Sequence, residues 1–289
     1  MIYSPLRYPG GKAKLAPLME ILIKNTNHIG GTYIEPFAGG AGIALSLLER
    51  NVVKNIVIND YDKRIYSFWR AILHETDRFL EMTYSIPLTI EEWENQRDIM
   101  NKYSNKYSFE LGFATFYMNR TNISGIIKGG VIGGRNQSGK WDMSARFNRE
   151  NLINRISKIA QKKKYIHIYN KDVSIFIKKY LHYYKNSFIY FDPPYYKKGK
   201  ELYLNFFTLE DHIRIEKLIK EIKDSDWVIT YDEAPEIVDI YSGYFCKKID
   251  LKYSAGTKRK ASEIIIFKNK SMIPASDYLI NNNMYINLK

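Results

Sequence analysis

The chain has 289 residues, 45% of them hydrophobic, which is enough for one large α/β domain or a core domain with a sizeable insertion. Its 44 Lys and Arg against 31 Asp and Glu leave a formal charge of +13, which favours a polyanionic partner, nucleic acid before anionic membrane, although a Lys-rich solvated surface would give the same count. The single cysteine, Cys246, excludes an internal disulfide and suits a reducing, cytoplasmic compartment; no apolar run approaches the roughly 18 residues that span a bilayer, and the N-terminus lacks a signal-peptide core.

In chain order, Tyr8-Pro-Gly-Gly-Lys12 reads as a turn before a helix over 13–24. Its glycine pair would also let backbone approach a ligand, with Lys12 adding a cation. Tyr33-Ile-Glu-Pro-Phe-Ala-Gly-Gly-Ala-Gly42 is a strand running into a glycine-rich turn, and 43–49 has helical periodicity. This is how a nucleotide-binding βαβ unit starts, with helix N–H groups free to meet a ligand. The next strand ends on Asp60, about 20 residues further on, the spacing of an acid that grips ribose hydroxyls. Asp60 can equally cap a helix over 61–74.

Residues 76–147 interrupt the α/β alternation and are expected to form an inserted subdomain, flanked by a catalytic domain of 1–75 and 148–289. Helical periodicity marks 90–103 and 108–120. The glycine-rich stretch from Thr121 to Asp142 follows, with cations at Lys128, Arg135 and Lys140 and amides at Asn122, Asn136 and Gln137. A β-hairpin of this composition can lie in a DNA groove, and a flexible surface loop is the alternative. Such a long structureless stretch is unusual in a compact domain unless it is functional.

The rhythm then resumes with a helix over 152–161, a strand over 165–169 and a helix over 173–183, which Asp172 either caps or precedes as a ligand contact. The short apolar run Ser187-Phe-Ile-Tyr-Phe191 reads as a buried strand stopped by Asp192-Pro-Pro-Tyr195. Ligands bind at the carboxyl edge of open α/β sheets. Neither Pro193 nor Pro194 has an N–H, so the turn presents a carboxylate, free carbonyls and an aromatic ring. That set suits a planar amine, although an Asp-Pro-Pro turn can also be simple punctuation. A helix over 209–223, a strand over 227–231 and two late strands over 245–253 and 263–267 complete the pattern. Between the late strands lie Lys258, Arg259 and Lys260, which form either a phosphate clamp or a solvated tip. The five His residues show no ligand spacing, and with one Cys no metal site is expected.

Taken together, Tyr8-Pro-Gly-Gly-Lys12, Glu35-Pro-Phe-Ala-Gly-Gly-Ala-Gly42, Asn59-Asp60, Phe116-Tyr-Met-Asn-Arg120 with Ser124-Gly-Ile126, Asp192-Pro-Pro-Tyr195 and Lys260-Ala-Ser-Glu-Ile-Ile-Ile-Phe267 resemble the Dam-like DNA adenine-N6 methyltransferases, including those of restriction–modification systems. The resemblance covers nearly the whole chain in the expected order. It implies an α/β, Rossmann-like methyltransferase sheet using S-adenosyl-L-methionine, with an inserted, mainly helical DNA-recognition subdomain carrying a β-hairpin. It implies catalytic roles for Asp192, Pro193, Pro194 and Tyr195. The cofactor would meet Tyr8, Lys12, Glu35, Pro36, Phe37, Ala38, Gly39, Gly40, Asp60 and Asp172, with Asp192 beside them. Double-stranded DNA would be held by Arg7, Asn119, Arg120, Asn122, Ile123, Ser124 and Lys128. Arg135, Asn136, Gln137 and Lys140 would extend that surface, and Lys258, Arg259 and Lys260 would add cations.

The implied chemistry is consistent with the residues. Adenine's exocyclic amine is a poor nucleophile because its lone pair is delocalised into the ring. A carboxylate and a carbonyl accepting its two N–H bonds draw the nitrogen toward tetrahedral geometry and absorb developing positive charge. The base cannot be reached inside a duplex and must be flipped out. The resemblance further suggests a monomer, with a restriction endonuclease acting separately. Two other readings are a cytosine-N4 methyltransferase, in which Ser more often stands in place of Asp192, and an NAD-dependent dehydrogenase, which leaves the Asp192 turn unexplained. A catalytically dead DNA-binding module is a further alternative, and the intact Asp192 turn speaks against it.

Overall fold

The computed structural model describes residues 3–7, 12–103, 105–196, 207–250 and 262–275. Among the described residues seven strands form one sheet: β1 (Thr32–Glu35), β2 (Asn55–Asn59), β3 (Ile166–Tyr169), β4 (Phe188–Phe191), β5 (Asp226–Asp232), β6 (Phe245–Asp250) and β7 (Ser262–Phe267). Their order is β3-β2-β1-β4-β5-β7-β6. β1, β4 and β5 run parallel, whereas β7 pairs antiparallel with both β5 and β6. The central strand β4 is buried at every residue, and it reads as a continuous apolar run because both its faces are covered. The chain winds outward from β1 through β2 to β3, then returns to lay β4 on the other side of β1, so the switch point falls between β1 and β4. Tyr33 lies opposite Phe188 and Ile34 opposite Ile189, so the carboxyl ends of these two strands emerge side by side.

In the chain, α1 (Ala16–Asn25) precedes β1 and α2 (Gly42–Glu49) follows it. The chain divides into two compact units. One comprises 1–14, 38–46 and 58–171; the other comprises 15–37, 47–57 and 172–289. The first contains α3 (Lys63–His74), α4 (Thr76–Ser85), α5 (Ile90–Lys102), α6 (Phe109–Thr121) and α7 (Arg149–Gln161). Its core is an aromatic cluster in which Phe79 meets Phe68, Phe109, Phe113 and Phe116 at ring-centroid distances of 5.1–6.0 Å. α3 and α6 approach so closely that a Cβ on Gly112 would sit 2.4 Å from the Ser67 carbonyl oxygen, a contact only glycine permits. Helix starts follow local capping chemistry: Asp62 accepts from the Arg64 N–H, Thr89 from Glu92, Ser108 from Leu111 and Asn148 from Asn151.

The expected strands and the helices over 90–103 and 108–120 are present, within a few residues at their ends. The expected β-hairpin is not. Between Thr121 and Asp142 the described backbone pairs at one isolated antiparallel bridge, Asn122 with Val131, flanked by Ile123 N–H to the Gly130 carbonyl and Ile132 N–H to the Thr121 carbonyl. The rest is a short 3₁₀ turn (Ile123–Gly125) and tight turns. The cause is local: Ser124, Gly125, Gly133, Gly134 and Gln137 all take positive φ, which no ladder accommodates, and no alternating apolar face sets a register.

Candidate active site

Within the second unit, the turn after β4 is pinned by side chains of two neighbouring strands. The Thr230 hydroxyl of β5 donates to Asp192 Oδ1 at 3.2 Å and also bonds the Tyr190 hydroxyl at 2.7 Å. The Tyr195 hydroxyl donates to Glu263 Oε1 of β7 at 2.8 Å. The Tyr196 N–H donates to Asp232 Oδ1 at 2.9 Å. Asp232 and Glu263 are direct cross-strand partners in the β5–β7 ladder, so one rung anchors two consecutive residues of the turn. Thr230 and Glu263 are almost completely buried, and Tyr195 is only 8% exposed. Asp192 and Pro194 are half-buried and Pro193 is buried. Among the described residues no hydrogen bond engages the Pro193 carbonyl. The Tyr190 hydroxyl is held well above its usual pKa, first by burial and then by the Asp192 charge. Tyr33 is raised by burial, then by Glu35, with Tyr190 and Asp192 adding to it. Glu35 and Pro36 are buried at the end of β1, and the Phe37 ring meets Phe207 edge-on at 5.8 Å. None of Thr230, Asp232 and Glu263 was foreseen from sequence. The available signal was Glu263, an acid opening the apolar run Ile264–Phe267.

Asp172 begins α8 (Val173–Lys179), and its Oδ1 caps the helix by accepting from Ser174 and Ile175 N–H at 2.9 and 3.4 Å.

Within the first unit, the glycine loop is tied to Asp60. Asp60 Oδ2 accepts the Gly39 N–H at 2.8 Å and Oδ1 accepts the Asp62 N–H at 2.9 Å. The Ala38 N–H donates to the Asn59 carbonyl, and the Trp69 indole N–H donates to the Gly39 carbonyl. The loop turns through positive φ at Gly39 and Ala41. Gly40 is buried, as is Lys12. The cap of α3 is Asp62, which leaves Asp60 to the loop. The Asp60 carboxyl is pushed up to about 7, first by burial and then by Asp62, against the opposing pull of the Asp62 and Gly39 N–H groups and of Arg64.

Three amides expected to face nucleic acid are turned inward. Asn119 accepts the Arg7 N–H and donates to the Arg7 and Gly125 carbonyls, all within 2.7–2.9 Å. Asn122 accepts from the Trp93 indole and donates to the Ile126 and Ile127 carbonyls. Gln137 donates to the Ile132 carbonyl and accepts the Met143 N–H. Asn119 and Asn122 are buried and Gln137 is half-buried; a buried amide needs partners, and each of the three bonds loop carbonyls, so these residues shape the loop. What the loop exposes is Ile123, at 55%, with Ser124, Lys128, Asn136 and Lys140. Arg135 is also exposed and pairs with Glu94 at 3.0 Å. Arg7 and Arg120 are half-buried. Tyr8, Lys258, Arg259 and Lys260 lie outside the described residues.

The mostly parallel sheet with its antiparallel seventh strand is the Rossmann-like fold of a methyltransferase. The profile of the D12 class N6 adenine-specific DNA methyltransferases matches residues 8–255, and the chain belongs to that family. It is 25% identical to the type II methyltransferase M.MjaIII of Methanocaldococcus jannaschii, over 88% of this chain and 94% of that protein. It is 23% identical to the type II methyltransferase M1.LlaDCHI of Lactococcus lactis subsp. cremoris, covering 90% and 93%. It is also 23% identical to M.CviBI of Paramecium bursaria Chlorella virus NC1A, covering 86% and 90%.

Proposed function

We propose that this chain, an adenine-specific DNA methyltransferase by family, acts at a defined site in double-stranded DNA with Asp192 as its central catalytic residue. The observation that carries the reading is the placement of Asp192 at the switch point with its carboxylate oriented by Thr230. The carboxylate accepts one N–H of the adenine amine and the Pro193 carbonyl accepts the other. Holding both protons in place frees the nitrogen lone pair from the ring at the moment of attack and stabilises the positive charge that follows. Tyr195, tethered through its hydroxyl to Glu263, is the aromatic against which the extruded base stacks. A turn held from two strands needs little reorganisation during the reaction, which is where most of the rate is gained.

S-adenosyl-L-methionine, when bound, supplies an electrophilic methyl group on a sulfonium. The residues present fit it. Asp60 uses its two oxygens for one main-chain N–H each, which leaves lone pairs for the vicinal hydroxyls of a ribose. Gly39, Gly40 and Ala38 line the turn beside that acid, Glu35 ends β1 and Phe37 follows two residues later, and Lys12 and Asp172 complete the proposed set. The type II relatives further suggest that this chain is the modification half of a restriction–modification pair, with its endonuclease acting separately.

The test is transfer of labelled methyl groups to duplex DNA by wild type and Asp192→Ala. Loss of one preorganised acceptor costs on the order of 10²–10³ in rate, while calorimetric binding of S-adenosyl-L-methionine should persist. Near-normal turnover by the variant would overturn the assignment.

A further inference from the structure

Four arginines converge in the first unit, and among the described residues no carboxylate pairs with them. Arg120, in the last turn of α6, donates through Nη1 to the Pro5 carbonyl at 3.5 Å and through Nη2 to the Arg146 carbonyl. Arg155 of α7 donates to the Ser4 carbonyl at 3.0 Å, and Arg7 donates to the Asn122 carbonyl at 3.0 Å. Arg146 is exposed. Every partner these side chains find among the described residues is a neutral carbonyl. Arg120 Nε is buried and has no hydrogen-bond partner among the described residues. The Arg120 guanidinium is pulled down to about 9 by burial and then by Arg7, Arg155 and Arg146, so it keeps its charge at neutral pH while being repelled by its neighbours. Arg7 is lowered by burial and then by Arg146.

Packing like charges together without a carboxylate to offset them is unfavourable, and such a cluster attracts an anion. Guanidinium groups match the two free oxygens of a phosphodiester bidentately, so the anion best suited is a backbone phosphate. The cluster also adjoins the loop tip. A Cβ on Gly125 would lie 2.5 Å from the Arg7 carbonyl oxygen, and Asn119 ties Arg7 and Gly125 to one amide. The exposed side chains of Ile123 and Ser124 belong to that tip. We propose that Arg7, Arg120, Arg146 and Arg155 form a clamp for one DNA backbone phosphate beside the tip of the Asn122–Ile126 loop. The proposal rests on the reading of this chain as a DNA methyltransferase. The clamp fixes the register of the strand and reads no base.

Arg146→Gln tests it, because the fold uses the carbonyl of Arg146 whereas the clamp uses its side chain. Without DNA, the variant should melt at a higher temperature, since one repelling charge is gone; a purely structural arginine would give a lower melting temperature and overturn the proposal. With DNA, the slope of log affinity against log salt should become shallower by about 1, with equal proportional loss on specific and scrambled duplexes. A scan of duplexes carrying one neutral methylphosphonate at a time should find a position that weakens wild type about tenfold, as expected for one lost charge-assisted contact, yet leaves Arg146→Gln nearly unaffected. Identical scan profiles for the two proteins would overturn the clamp, even with adenine methylation intact. Absence of adenine methylation by wild type would instead strike the underlying reading.

Discussion

At the scale of single residues, the proposed chemistry depends on how Asp192 is held and, separately, on how Asp60 is held. Thr230 is the only described side chain whose hydroxyl reaches both Asp192 and Tyr190, and Val has nearly its shape without the hydroxyl. Thr230→Val should lower the single-turnover rate about tenfold, equivalent to about 1.4 kcal/mol, and leave binding of S-adenosyl-L-methionine unchanged. Thr230→Ser should restore the rate; failure of Ser to rescue would mean that packing, not the hydrogen bond, sets it. Asp60 makes a pH prediction with two opposite signs. Its folded carboxyl sits at about 7, above the ordinary 3.8, so the folded chain holds the proton more tightly than the unfolded one. The stability this gives is fully present below about pH 4 and is lost as pH rises toward 7. Cofactor binding should run the other way, because the ionised carboxylate is the better acceptor for ribose hydroxyls. Asp60→Asn should therefore melt higher than wild type at pH 8, and both its melting temperature and its weaker cofactor affinity should lose their dependence on pH through this range. A wild-type affinity flat from pH 5.5 to 8 would count against Asp60 as the ribose ligand. The sequence placed Asp60 at the correct strand end but left ribose and helix cap as equal choices. Asp62, two residues on, takes the cap, and only the fold shows which acid points where.

At the scale of elements, α3 and α6 carry the first unit. Their contact requires Gly112 against the Ser67 carbonyl, so Gly112→Ala must push the helices apart. The expected cost is about 1–3 kcal/mol of unfolding free energy, measured by denaturant titration. An unchanged midpoint would show that the helices give way freely. Most elements were legible because apolar runs such as Phe188–Phe191 end at sharp punctuation, here Asp192-Pro193. Helix α4 was not, because of its ten residues only Phe79 and Thr83 are buried, too thin a stripe to show a period. The loop after α6 departs from the expected hairpin for a related reason. Its glycines matched a hairpin's composition, but positive φ at Ser124 and Gln137 cannot be read from residue type. Likewise Asn119, Asn122 and Gln137 have the side chains of base readers and are used as internal braces.

At the scale of the whole molecule, the strand order makes the site. Alternation of strands and helices announces a doubly wound sheet, yet nothing local says that β4 inserts beside β1 rather than beyond β3. That choice follows from packing both faces with right-handed crossovers, a property of the assembled sheet. It sets the carboxyl ends of β1 and β4 next to each other, and the antiparallel β7 then brings Glu263 to brace Tyr195. The +13 charge is consistent with a polyanion as substrate, and the arginine cluster gives part of it a place. In the proposed reaction Asp192 holds the adenine amine so that its N6 takes up the methyl group. The most direct measurement is sequencing of modified bases in the DNA of cells expressing wild type or Asp192→Ala. Wild type should leave N6-methyladenine within one recurring sequence and the variant none. Methylation at cytosine N4, or the same adenine methylation from the variant, would contradict that reaction.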